Sequence, residues 1–429
     1  MRRRQSSQTR ARATIVRRHR PDYQIVLYMG LLMLIGLIIM YAIGPQRANV
    51  LNNSYGTDFY GSTYFFIKQT TSLFLALIAF TVAAMLPYQV LQKNAGKIVI
   101  AGFVACTLLL IFGNILHVDA IAQCSLGACR WFSLGPLGSL QPAEFLKFGL
   151  LLFTAGFIGV RAQQGLINDR KQTLAPLAVI VAVALIFIIV IQKDMGTGIT
   201  LVVMLSAMLL MAGIKLRVAA LVAVIMLMVG VLFILIAPHR IDRVMTFLSG
   251  DSSTTNDAAS YHISHAKIAI GSGGLTGVGI GNSVQATGYL PEAINDSVFA
   301  IMGETFGFIG LVAILALFTA LLVRLLKVAD HLVDVRLRLL VAGVFGWLAA
   351  HVILNVGAMI GIFPLTGITL PLLSFGGTSM VFIAAGLGLA FQLSRYTTFG
   401  SKMSDSTTNR RTNTWMNRKT VVRNGTNRI

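Results

Sequence analysis

Between residues 25 and 391 the chain repeats one pattern: a run of apolar residues with almost no charge, a short polar break, then another apolar run. Several runs reach the roughly 20 residues that a helix needs to cross a hydrocarbon core about 30 Å thick. In lipid every backbone N–H and C=O must be satisfied within the protein, so such runs fold as helices rather than open strands. Only 12% of the 429 residues are charged, about half the share in soluble domains. The expected fold is therefore all-α, a polytopic membrane protein with ten transmembrane helices. These cover 25–43, 65–86, 98–116, 145–160, 174–191, 199–212, 218–236, 298–322, 337–360 and 372–391, with a large extracytoplasmic loop between the seventh and eighth. The first run follows a basic arm and is too long for a signal-peptide core, so a cleaved leader is not expected.

The formal net charge of +20 would suit a nucleic-acid partner, but its distribution argues against one. Eight Arg residues precede residue 21 and eight Lys or Arg follow Gln392. These polar, Arg-rich ends bury too little apolar surface to offset the entropy of ordering. A disordered arm (1–22) and tail (397–429) are expected around one membrane domain (23–396). All but eight of the 35 Lys and Arg residues lie in the tails or in alternate loops, which by the positive-inside rule are cytoplasmic, together with both termini. The other eight are Arg47, Lys68, Arg130, Lys147, Lys193, Arg240, Arg243 and Lys267. The outer segments are then the first loop to Thr63, the loop 117–142, the link 192–198, the long loop 237–297 and the turn around Phe363. A loop of that length is usually functional or disordered, and its Gly-rich stretch 271–281 reads as ordered re-entrant backbone.

Ionisable groups within or beside spans are candidates for function by default. Gln141, Glu144 and Lys147 open the fourth span, and Glu144 and Lys147, three residues apart, share a helix face and can pair. Gln192, Lys193 and Asp194 form the break before the sixth span, where Asp194 is either a helix cap or a site group. Asp296 poses the same choice at the eighth span: a cap, or a general base meeting a substrate hydroxyl. The outer cations Arg130, Lys147, Lys193, Arg240, Arg243 and Lys267 are either a solvated face or a cluster suited to a diphosphate. His262 and His265 lack the partners of a zinc site. Cys124 and Cys129 share an outer loop and can bridge in an oxidising compartment, whereas Cys106 lies in an apolar run and reads as packing.

Arg130-Trp131-Phe132-Ser133-Leu134-Gly135, Gln141-Pro142-Ala143-Glu144, Gln192-Lys193-Asp194-Met195-Gly196-Thr197 and Ala269-Ile270-Gly271-Ser272-Gly273-Gly274 follow one another along the chain. Tyr289-Leu290-Pro291-Glu292-Ala293, Asn295-Asp296, Gly303-Glu304, Asn355-Val356-Gly357, Phe363-Pro364-Leu365-Thr366-Gly367, Leu370-Pro371 and Ser374-Phe375-Gly376-Gly377 come after them. In order and spacing these segments resemble the SEDS proteins (shape, elongation, division and sporulation) of the FtsW and RodA type, over about residues 22–396. Asn295 and the stretch 240–248 look more like the division branch.

The resemblance implies a peptidoglycan glycosyltransferase that polymerises lipid II at the outer face of the cytoplasmic membrane during cell division. Asp296 is implied as the catalytic base of an inverting displacement with undecaprenyl diphosphate as leaving group. Arg130, Gln141, Glu144, Lys147, Gln192, Lys193, Asp194, Lys267 and Glu292 are the expected substrate-binding residues, and Mg²⁺ or Mn²⁺ is the candidate ion. The implied partners are a class B penicillin-binding protein and other division proteins. The chain departs from the family pattern at Lys193, where Pro is usual, and at Ala286, Ile294, Ser297 and Thr305, where Lys, His, Phe and Glu are usual. Two other readings stay open on the residues alone: a flippase or transporter of a lipid-linked precursor, which would place polar groups near the midplane, and a non-catalytic scaffold.

Overall fold

The computed structural model describes residues 20–125, 128–135, 138–215, 217–218 and 258–397. The seventh expected span (218–236) from residue 219 on, the loop to residue 257 with Arg240 and Arg243, and nearly all of both expected tails lie outside the described residues. Among those described, the helices are α1 Tyr23–Tyr55, α2 Tyr64–Met85, α3 Tyr88–Leu109, α4 Pro142–Gln163, α5 Ala175–Leu185, α6 Met195–Met211, α7 Ala258–Ser272, α8 Val298–Asp330, α9 Val335–Met359 and α10 Gly377–Leu393. With the π-helical turns that extend α3 to Ile115 and α5 over Arg170–Ile191, eight are long and apolar enough to cross a membrane. The sixth expected span is the shorter apolar helix α6.

Several boundaries differ from the apolar runs. α1 continues a further twelve residues through Pro45 to a left-handed Gly56 cap, because a helix keeps its backbone bonds when it leaves the hydrocarbon. The last span starts at Gly377 rather than at 372, since Leu372 takes a left-handed backbone (φ 67°) and 371–376 form turns. The all-α expectation gains one addition: strands β1 Ala122–Ser125, β2 Ala128–Ser133 and β3 Ser139–Leu140 form an antiparallel sheet in the order β1-β2-β3. Cys124 faces Cys129 across β1 and β2, and the two are joined by a disulfide.

Burial separates centre from periphery. About three quarters of the apolar windows of α4, α9 and α10 are buried, against 28–39% for the other long helices. Lipid tails are as apolar as leucine, so helices associate in lipid mainly through close backbone approach at small residues. Gly102 on α3 lies so near Leu146 of α4 that a Cβ would sit 2.9 Å from its Cα, and one on Gly388 of α10 would come 2.3 Å from the Phe80 carbonyl of α2. At one face Asp22 caps α1, pairs with Arg324 of α8 and donates its N–H to Ser394 after α10 (2.8 Å). The opposite face carries the sheet and the starts of α2, α4, α6, α8 and α10.

Gly388→Val is expected to force α2 and α10 apart and lower stability by about 1–3 kcal/mol, the usual cost of overpacking. Gly30→Ala, whose Cβ would meet nothing within 4 Å, should leave the melting temperature of the detergent-purified protein unchanged.

Candidate functional site

The chain enters α4 through Gln141 and Pro142, a residue suited to a first turn because its missing N–H would have no partner there. Glu144 and Lys147 then share a face that points into the bundle. Lys147 is 0% exposed and Glu144 1%, and the Lys147 Nζ donates to Glu144 Oε1 at 2.7 Å and to Thr200 Oγ1 of α6 at 3.1 Å. The third neighbour is His351 Nε2 of α9 at 3.4 Å, and the Trp347 ring centroid lies 4.7 Å away. An ammonium has three donors, and here each faces a protein group. Trp347 Nε1 also donates to His351 Nε2 (3.3 Å), while His351 Nδ1 faces the Thr369 carbonyl at 3.4 Å. Two donors on Nε2 and an acceptor on Nδ1 assign the neutral ring with its proton on Nδ1.

Beside this cluster lies Asp194. It caps α6 through Thr197 N at 2.9 Å and accepts from Thr197 Oγ1 and from Gln141 Nε2, at 2.8 and 2.7 Å. Arg130, on β2, donates to the Gln192 carbonyl (3.2 Å) and the Lys193 carbonyl (2.9 Å). That clamp holds an exposed Lys193 in the left-handed region (φ 53°), uncommon for a side chain with a Cβ. Of the expected cation cluster, Lys147 and Arg130 bond protein groups, and Lys193 is exposed.

Asp296 is placed by a second set of contacts. Gly307 adopts φ 68°, ψ −169° within α8, a conformation essentially reserved for glycine. The break lets the Glu304 and Thr305 carbonyls accept Val278 N (2.9 Å) and Gly279 N (3.1 Å), which anchors the Gly-rich stretch as ordered backbone, as the sequence suggested. The Glu304 carboxylate binds Ser283 Oγ (2.5 Å) and the N–H groups of Val284 (2.9 Å) and Gln285 (3.2 and 3.3 Å). Asn355 of α9 then donates one amide hydrogen to the Asp296 carbonyl and one to the Ile368 carbonyl, both at 2.7 Å. Phe375 N meets the Ile294 carbonyl at 2.8 Å, and Ser297 is held by His262 Nε2 (2.6 Å) and the Pro291 carbonyl (2.8 Å). The cap position of α8 falls on Ser297, one residue past Asp296.

The fold thus brings Gln141, Glu144, Lys147 and Asp194 into one cluster, with Arg130, Gln192 and Lys193 along its edge. It does not bring Lys267 or Glu292 into contact with that cluster. Lys267 is exposed and lies against Gly361; Glu292, also exposed, accepts from Asn295. Sequence reading missed Thr200, Trp347 and His351, and gave Asn355 no role. Their signal was a polar stripe at 347, 351 and 355, one helix turn apart, inside an otherwise apolar run.

No group of three or more His, Cys, Asp or Glu that could hold a metal occurs among the described residues. Glu144 Oε1 and the carboxylates of Asp194 and Glu304 are engaged as described.

Comparison with known proteins places this arrangement in a family. The profile of the cell-cycle proteins FtsW, RodA and SpoVE matches residues 23–399. Stage V sporulation protein E of Bacillus subtilis is 30% identical over 379 residues, covering 88% of this chain and 98% of that protein. The probable peptidoglycan glycosyltransferase FtsW of Taylorella equigenitalis is 30% identical over 368 residues, covering 85% and 94%. A solved chain from a peptidoglycan synthase complex has the same fold, with a TM-score of 0.67 at 23% identity, covering 87% of this chain and 98% of that one.

Lys147→Met should destabilise the protein by about 3–5 kcal/mol, because it leaves the buried Glu144 without its partner. Adding Glu144→Gln should restore much of that loss, a coupling that a double-mutant cycle on melting temperatures would read.

Proposed function

Because this chain belongs to the FtsW, RodA and SpoVE family of cell-cycle proteins, we infer that it is a peptidoglycan glycosyltransferase that polymerises lipid II into glycan strands. One observation carries the reading: family likeness runs over nearly the whole membrane domain and includes relatives named for this activity. The site supports it, since Asp296 is 9% exposed and sits at a helix start in a segment pinned from two sides. In the reaction the acceptor's sugar 4-hydroxyl gives its proton to the Asp296 carboxylate as its oxygen attacks the donor's anomeric carbon. The bond to the lipid diphosphate breaks, and one displacement inverts that centre.

Charge develops on the departing diphosphate, and preorganised cations lower the barrier there. The exposed Lys193 and Lys267 are the groups offered to it. Lys147 and Arg130 act at one remove: Lys147 holds α4, α6 and α9 in register, and Arg130 fixes the link that presents Lys193. Mg²⁺ or Mn²⁺ enters this proposal only as a companion of the substrate diphosphate, the usual way such ions are bound. A flippase is less well supported, because relatives of this chain are named as peptidoglycan glycosyltransferases.

That face is proposed to be extracytoplasmic. The Cys124–Cys129 disulfide lies on it, which suits an oxidising compartment, and the basic residues favour the other side. The membrane is then the cytoplasmic one, with both termini inside. A class B penicillin-binding protein is the proposed partner at the division septum, supported by the likeness to a chain from a complex that couples polymerization to crosslinking.

Asp296→Asn in purified, folded protein is expected to slow lipid II polymerisation by about a hundredfold to ten-thousandfold, the usual worth of a general base. Asp194→Asn should show only a partial loss; chain-length analysis of the glycan products separates the two, and near wild-type polymerisation by Asp296→Asn would remove the base assignment. For orientation, reporter fusions at either terminus should report a cytoplasmic location, and an external signal from either would reverse the topology.

A further inference from the structure

On the face opposite Asp296, α3 and α4 separate to leave a groove of about 530 Å³, within the roughly 300–1,000 Å³ typical of ligand sites. Farther along, the two helices are in close contact, Gly102 against Leu146 and Gly149 against Ile98 and Val99. They part towards Gly96, where an added Cβ would meet nothing within 4 Å. One wall is apolar, formed by the stacked rings of Phe153 and Phe157, with centroids 6.2 Å apart. The lip is cationic: the Arg161 guanidinium lies 5.5 Å from the Phe157 ring centroid and donates to Gln164 Oε1 at 3.4 Å. At the back Gln92 Nε2 is buried and donates to no acceptor among the described residues. It stands beside Gly156, whose Cβ position is 3.4 Å away.

We propose that this groove binds one anionic glycerophospholipid of the bilayer, with its phosphate at Arg161, an ester oxygen at Gln92 and an acyl chain along Phe153 and Phe157. A buried amide donor without an acceptor calls for a missing partner, and a lipid ester supplies one beside an apolar chain. Charge complementarity selects an anionic headgroup over a neutral one. Lys93 and Lys97 are exposed on α3 beside the groove, and Arg170 and Lys171 follow α4. The one carboxylate on the intervening link, Asp169, is engaged in capping Lys171 N and Gln172 N at 2.9 and 2.8 Å. The site lies away from the glycosyl-transfer cluster, and the proposal does not rest on that activity or on which face is cytoplasmic.

The test is native mass spectrometry of the purified full chain with phosphatidylglycerol or phosphatidylcholine, alongside Arg161→Gln and Gly96→Leu. The wild type should retain one phosphatidylglycerol, and Arg161→Gln should weaken that retention about fivefold, as loss of one basic residue near a headgroup would. Gly96→Leu, which fills the groove, should abolish it without lowering the melting temperature. Equal retention of the two lipids by the wild type would overturn the proposal, as would undiminished phosphatidylglycerol binding by Gly96→Leu. If Gly96→Leu does not fold, the Arg161→Gln arm decides, and an unaltered preference there overturns the proposal by itself.

Discussion

Two hydrogens on one amide hold together the face that carries the sheet and the starts of α8 and α10. Asn355 donates one to the carbonyl of Asp296 and one to that of Ile368, so α9 fixes both the start of α8 and the loop leading to α10. One turn earlier on α9, His351 faces the Lys147 ammonium and the Thr369 carbonyl. The same helix face therefore reaches the buried ion pair of α4 and the segment that bears the catalytic candidate. A primary amide has two donors, and both are used across elements that are distant in sequence. No apolar residue could replace this junction, because two buried carbonyls would lose their partners.

This arrangement explains why cations that look alike in sequence differ in role. Buried deep in the bundle, Lys147 is tolerable only with Glu144, Thr200 and His351 around it, and a group so enclosed shapes the site without reaching into it. Arg130 has a fork of five donors and directs it at backbone carbonyls, which explains how Lys193 can hold a left-handed backbone and stay exposed. His262 in turn holds Ser297 beside Asp296.

Much of the fold was legible in the sequence because lipid imposes a coarse rule: an apolar run of sufficient length is a helix. Glu144 and Lys147 could be paired from their spacing, and Asp194 placed at a cap from its position. Contacts between distant elements were not legible. Nothing near Asn355 in the chain points to Asp296, and the His351 to Lys147 contact needs α9 packed on α4. The β1–β3 sheet was hidden in a loop whose strands are too short to show a clear alternation. The Gly307 break lies inside an apolar run that reads as continuous helix, and only the carbonyls it frees for Val278 and Gly279 reveal its purpose.

If Asp296 is the base proposed above, its position depends on the seat that α9 provides through Asn355. The most direct measurement is the rate of lipid II polymerisation by purified Asn355→Leu protein, with folding verified by size-exclusion and melting temperature. Misplacing a reacting group by about 1 Å can cost roughly a hundredfold in rate. A loss of about that size is expected in protein that remains folded and membrane-inserted, with the Asp296 carboxylate still present. Polymerisation at the wild-type rate would contradict it.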